Sequence, residues 1–166
     1  MVPESCVPNE IPHFYGRQKE CEAILGHLTG SENTRLVDIW GTPGFGKTSV
    51  AINIAHRLLE NRIPVYFVCL RGMRSKDELV SKLLSIFADV KQSPHLLPSH
   101  WLIQCLRQVQ NPFVLILDNA DDLLESGDTK TKEEVLKLTE DILAEISHIK
   151  LLFTTRESLE IGRAHV

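Results

Sequence analysis

Gly41-Thr42-Pro43-Gly44-Phe45-Gly46-Lys47-Thr48 sets three glycines, a lysine and a hydroxyl in the pattern Gly-x-x-x-x-Gly-Lys-Thr. Glycine lets successive backbone amides turn towards one anion, in conformations that a Cβ opposes. Those amides, joined to the amino end of a helix starting near Lys47, make a phosphate site. In such a site Lys47 reaches the β- and γ-phosphates and the Thr48 hydroxyl is a ligand of Mg²⁺. The pattern works only between a strand and a helix. Leu36-Val37-Asp38-Ile39-Trp40 is the strand before it, and Val50, Ala51, Ile54, Ala55, Leu58 and Leu59 form one helical face after it. The expected chemistry is binding of a purine nucleoside di- or triphosphate with Mg²⁺, through Gly41 to Thr48 and the adjoining Ser49.

A metal-bound phosphate chain needs a carboxylate on a neighbouring strand. Asp118 fits, closing the uninterrupted apolar run Phe113-Val114-Leu115-Ile116-Leu117, as expected of a central strand covered on both faces. The next residue is Asn119, where many hydrolytic enzymes with this loop carry a glutamate that polarises water. An amide takes no proton, so slow turnover is expected. Asp121 or Asp122 can substitute, or can simply cap a short helix towards Leu124; both readings stand. Thr154-Thr155-Arg156 ends a further strand with polar side chains, and ligands of open α/β sheets bind at the strands' carboxyl edge. Arg156 there either senses a γ-phosphate, to which its planar fork is suited, or is a surface arginine.

The elements that must position these groups alternate. A helix from Gln18 to Thr29 carries Ala23, Ile24, Leu25 and Leu28 at helical spacing. Val65 to Leu70 reads as a second strand, and Ser75 with Glu78 as a capping box opening a helix with Leu79, Leu83, Leu84, Ile86 and Phe87 inward. Beyond Pro94 and Pro98 comes a helix with Trp101, Leu102, Cys105, Leu106 and Val109 on one side. Thr131 with Glu134 reads as a second capping box for a helix through Ile146. Leu151 to Thr155 is a fourth strand. Strands alternating with helices argue for a parallel α/β sheet.

Composition agrees with one globular domain: 166 residues, 43% hydrophobic and 24% charged. A net charge of −4, without a basic stripe, gives no electrostatic reason for a nucleic-acid partner, and none is expected. No apolar stretch approaches the roughly 20 residues that span a bilayer. The start of the chain lacks the basic and apolar regions of a secretory signal. The four cysteines, Cys6, Cys21, Cys69 and Cys105, have neither metal-ligand nor redox spacing, and free thiols point to the cytoplasm. The seven histidines show no ligand spacing.

Together these motifs resemble the signal-transduction ATPases called STAND, of NB-ARC type, from about Phe14 to Arg156. Phe14-Tyr15-Gly16-Arg17 looks like that family's leading motif, so Gly16 and Arg17 are expected to contact the adenine side. Leu115 to Asp122 and Leu152 to Arg156 match its later motifs. The resemblance implies a three-layer P-loop NTPase sandwich with ATP or ADP and Mg²⁺ as cofactors, adenine in place of guanine, and Arg156 as a phosphate sensor. With the residue readings above, the expected catalytic set is Asp118, Asp121 and Arg156, with Thr48 and Asp118 holding the metal. The resemblance also implies protein partners engaged through flanking domains, and a full-length protein that oligomerises with ATP.

Departures bear on this. The later Gly-x-Pro motif, the winged-helix segment, the histidine contact to ADP and the fifth core strand are absent. The sheet is therefore expected to be truncated after its fourth strand, with the first as a bare edge. One choice of codons for Glu160 to Val166 reproduces a common sequencing-library adapter. The division expected is a linker over 1–12, the nucleotide-binding part over 13–160, and a non-native tail over 161–166. The function implied is a regulatory switch, closed with ADP and open with ATP, which needs about a 10⁴-fold difference in affinity for a nearly complete swing. A catalytic AAA+ ATPase of initiator or remodelling type, or an interaction fragment that binds no nucleotide, are the other readings.

Overall fold

Among the described residues eleven elements follow one another in an order set by apolar periodicity. The computed structural model describes residues 7–8, 18–30, 34–41, 46–88, 97–125, 128–156, 159 and 164–165. They form α1 (Gln18–Thr29), β1 (Leu36–Trp40), α2 (Lys47–Glu60), β2 (Val65–Cys69), α3 (Lys76–Phe87), α4 (Pro98–Arg107), β3 (Phe113–Asp118), α5 (Asp121–Leu124), α6 (Thr129–Glu145), β4 (Ile149–Thr155) and β5 (Ala164–His165).

The strands make one sheet in the order β2-β3-β4-β1-β5, every pair parallel. Side chains alternate between its faces. Phe113, Leu115 and Leu117 join Leu36, Leu151 and Phe153 in a core with α3, α4 and α6. Val114 and Ile116 join Val37, Ile39 and Leu152 in a second core with α1 and α2. Since β3 is buried on both faces along its whole length, it reads as continuous apolar sequence and not as alternation. The result is the expected three-layer α/β sandwich.

Three expectations change in detail. On α1 the inward position belongs to Cys21, not Ala23, which is exposed; Cys21, Ile24, Leu25 and Leu28 complete one stripe. The helix α6 starts two residues before Thr131. Asp128 is its cap, accepting from Lys130 N, and the Thr131 hydroxyl donates to Asp128 Oδ2 at 3.0 Å. Aspartate caps as well as threonine does, so the spacing alone did not choose between them. The Ser75 cap holds, its Oγ accepting from Glu78 N at 3.1 Å.

The third change concerns the sheet edge. The outer side of β1 is not bare: Val37 pairs with Ala164 and Asp38 with His165. Main-chain pairing requires an extended backbone and no particular side chain, so even a two-residue segment can satisfy such an edge. At the other end of β1, the Arg35 guanidinium donates to the carbonyls of Leu143, Ile146 and Ile149, satisfying free acceptors where α6 ends.

Candidate functional site

The carboxyl ends of β2, β3, β4 and β1 meet the start of α2, and there the polar residues gather. Gly46 has φ 77° and ψ 24° immediately before α2. A Cβ on it would meet nothing within 4 Å, so the demand for glycine is one of backbone conformation and not of space. Thr42, Pro43, Gly44 and Phe45 lie outside the described residues, as do Gly16 and Arg17. Ser49 lies in the first turn of α2 and is half-buried.

The Lys47 side chain reaches back to the residues that close β1 and β4. Its Nζ donates to Gly41 O at 2.6 Å and to Thr155 O at 2.8 Å. Gly41 N also donates to Thr155 O, at 3.2 Å. The end of β4 thus holds both ends of the glycine-rich turn. These are backbone oxygens, weaker partners for an ammonium than phosphate oxygens are.

The Thr48 hydroxyl stands 3.1 Å from both oxygens of Asp118, although the two residues are 70 positions apart in sequence. Asp118 is 2% exposed, and its Oδ1 also accepts from Thr154 Oγ1 at 2.5 Å. The Thr154 oxygen in turn accepts from Asn119 N at 2.8 Å, and its carbonyl from Ala120 N at 3.1 Å. Asn119 has φ 61°, a left-handed conformation that asparagine tolerates better than most residues. The turn after β3 is therefore shaped by β4. A hydroxyl and a carboxylate side by side are hard oxygen donors, the set that suits Mg²⁺ when phosphates and water complete its shell. Among the described residues no three His, Cys, Asp or Glu side chains group as a metal cage.

Asp121 does something neither sequence reading anticipated. It makes no side-chain cap on α5; its Oδ1 accepts from Arg156 N at 2.5 Å and its Oδ2 lies 3.9 Å from Arg156 Nε. Arg156 Nη1 lies 3.8 Å from Glu125 Oε2. Asp122 accepts from Gly72 N at 2.8 Å. The two acids clip the exits of β4 and β2 to the turn after β3.

Sequence reading missed Asp38 and Arg71. Asp38 is fully buried in the middle of β1. Its carboxylate accepts from Thr155 Oγ1 at 2.8 Å and from Leu159 N at 2.7 Å, so it fixes the strand end that holds Lys47. An acid inside an otherwise apolar strand was the available signal. Arg71 follows β2 and carried no signal of spacing.

The profile of the AAA domain family matches residues 31–160. An uncharacterized WD repeat-containing protein of Nostoc sp. is 27% identical over 131 residues, covering 72% of this chain and 10% of that protein. Among solved structures, the Aeropyrum pernix ORC1 protein in complex with DNA superposes with a TM-score of 0.67 at 18% identity, over 99% of this chain and 47% of that one. The Aeropyrum pernix ORC2 protein, solved as ADPNP-ADP complexes, gives 0.61 at 17% identity, over 88% and 42%. The chain thus spans less than half of those solved chains and a tenth of the Nostoc protein. At such identities the superpositions show the shared fold alone.

One expectation is corrected by these likenesses. The exclusion of a nucleic-acid partner does not stand, because the same fold occurs in a chain solved on DNA. A net charge summed over a whole domain says little about one face of it or about the rest of a longer protein. For a bilayer the structure says only that no helix among the described residues is long and apolar enough to cross one.

Proposed function

We propose, from the premise that this chain belongs to the AAA domain family, that it binds ATP and ADP with Mg²⁺ as the nucleotide-binding part of a larger protein. The observation that carries this is the Thr48 hydroxyl against both Asp118 oxygens, beside a Lys47 that among the described residues is held by backbone carbonyls. Lys47 would exchange those carbonyls for phosphate oxygens, and Thr48 and Asp118 would hold the metal. Bound Mg²⁺ supplies positive charge between the phosphates. Thr154 keeps the Asp118 carboxylate aimed, and Asp38 keeps the end of β4 where Lys47 needs it.

Two finer readings divide on turnover. The solved chains that share this fold support a catalytic ATPase of initiator or remodelling type, and the comparisons lean that way. One local observation favours a slow STAND-like switch. Asn119 takes the place of a proton-accepting glutamate, while Asp121 and Asp122 are engaged with Arg156 and Gly72. A Nostoc relative in which such a segment is a small part of a WD repeat-containing protein fits a module working beside other domains.

Labelled ADP titrated against the wild type and Lys47→Ala, with folding followed by circular dichroism, tests the main reading. Binding that depends on Lys47 is expected; folded protein without it overturns the proposal. Steady turnover above about 1 s⁻¹, the low end of ordinary enzymes, favours the catalytic type, and turnover far below that favours the switch.

A further inference from the structure

Arg156, Lys47 and Arg71 stand at the carboxyl ends of the strands, and the structure treats them differently. Arg156 lies between two carboxylates, Asp121 and Glu125, which offset its charge. Lys47 rests on two backbone carbonyls. Arg71, two residues beyond β2, forks onto a single neutral group. With the Asn119 amide oxygen turned towards it, Nη2 lies at 3.0 Å and Nε at 3.1 Å. The ion pairs among the described residues use Arg107, Lys130, Lys137 and Arg156, and none uses Arg71.

The difference follows from residue 119. A carboxylate there would orient Arg71 and cancel its charge together. An amide orients it and leaves the charge in place. The position is well defined. Asn119 directly follows the Mg²⁺-binding candidate Asp118, its left-handed backbone is held by Thr154 Oγ1, and Cys69 of β2 is in register with Asp118. The loop carrying Arg71 is clipped to the same turn by the bond from Gly72 N to Asp122, with Gly72 at φ 82°.

We infer that Arg71 is a further nucleotide-binding residue, whose guanidinium, presented by Asn119, contacts the terminal phosphate and makes the site favour a triphosphate over a diphosphate. This rests on the nucleotide-binding reading above. A guanidinium that keeps three of its five donors beyond the Asn119 contact has the geometry for bidentate phosphate recognition.

The test compares the affinities of ADP and the β,γ-imido analogue of ATP, both with Mg²⁺, for the wild type, Arg71→Ala and Asn119→Asp, with melting curves to confirm folding. Aspartate is close in shape to asparagine and also tolerates a left-handed backbone, so this second variant cancels the charge of Arg71 without removing it. The expected result is that Arg71→Ala weakens the analogue about tenfold or more and ADP less than about threefold. Asn119→Asp should shift the same ratio in the same direction. Arg71→Ala that leaves both ligands unchanged, or weakens both equally, overturns the inference while nucleotide binding stands. A folded wild type that binds neither ligand overturns both.

Discussion

At the scale of single residues the site is a set of contacts between polar groups that sequence places far apart. Asp118 is the hub, touched by Thr48 and Thr154. Replacing it with asparagine keeps the shape and removes the charge that a metal needs. Asp118→Asn is expected to weaken nucleotide affinity in Mg²⁺ on the order of tenfold, about 1.4 kcal/mol. Its affinities in Mg²⁺ and in a chelator should become nearly equal; a wild-type dependence on Mg²⁺ in the variant would remove Asp118 from the metal site. Asp38 makes a stability prediction. Asp38→Ala leaves the buried Thr155 hydroxyl and Leu159 amide without their acceptor, each loss worth about 1–3 kcal/mol. Denaturant unfolding should show a lower midpoint by that order, and an unchanged midpoint would mean that water takes over the role.

At the scale of elements, helix starts and strand burial decide the architecture. Loss of an N-cap side chain costs about 1 kcal/mol. Ser75→Ala and Asp128→Ala should each lower stability by that amount, and Thr131→Ala by clearly less, because Thr131 only supports the cap. Equal losses at 128 and 131 would return α6 to the start that its sequence spacing suggested. On β2, Tyr66 packs against Phe87 and Phe113, with ring centroids at 4.6 and 5.4 Å, and burial pushes its phenol up from the usual tyrosine value. The folded state therefore keeps this proton when the unfolded chain has lost it. The stabilisation is fully present below the ordinary tyrosine value and is lost as pH rises through that of the folded state. Melting temperature should fall as pH rises above the ordinary tyrosine value of about 10, and Tyr66→Phe should make that fall shallower.

At the scale of the whole molecule, one sheet separates two apolar cores, and every strand points its carboxyl end at the same edge. That is why residues from four strands can meet at the proposed phosphate and metal site. Among the described residues the far side of β1 is closed by Ala164 and His165. A chain ending at Glu160 loses those pairings, at about 0.5–1.5 kcal/mol for each hydrogen bond, and should keep its nucleotide affinity, since none of the site contacts comes from this strand. A melting curve and an ADP titration of that shorter chain check both halves. Loss of affinity in a folded short chain would show that β5 supports the site through β1.

What sequence alone determined was local. The glycine-rich loop, the strand leading into it and the apolar run ending at Asp118 are legible because phosphate binding and double-sided burial each demand a particular residue type at a particular step along the chain. The fold class follows from the alternation of those patterns. Tertiary structure alone decided which polar groups meet. The bonds from Thr155 and Leu159 to Asp38 span 117 and 121 positions. The charge of Arg156 is met by Asp121 and Glu125, and that of Arg71 is left beside an amide. Periodicity reports which face of an element is apolar. It carries no information about which strand ends lie side by side, and those neighbours set the partners of every side chain at the edge.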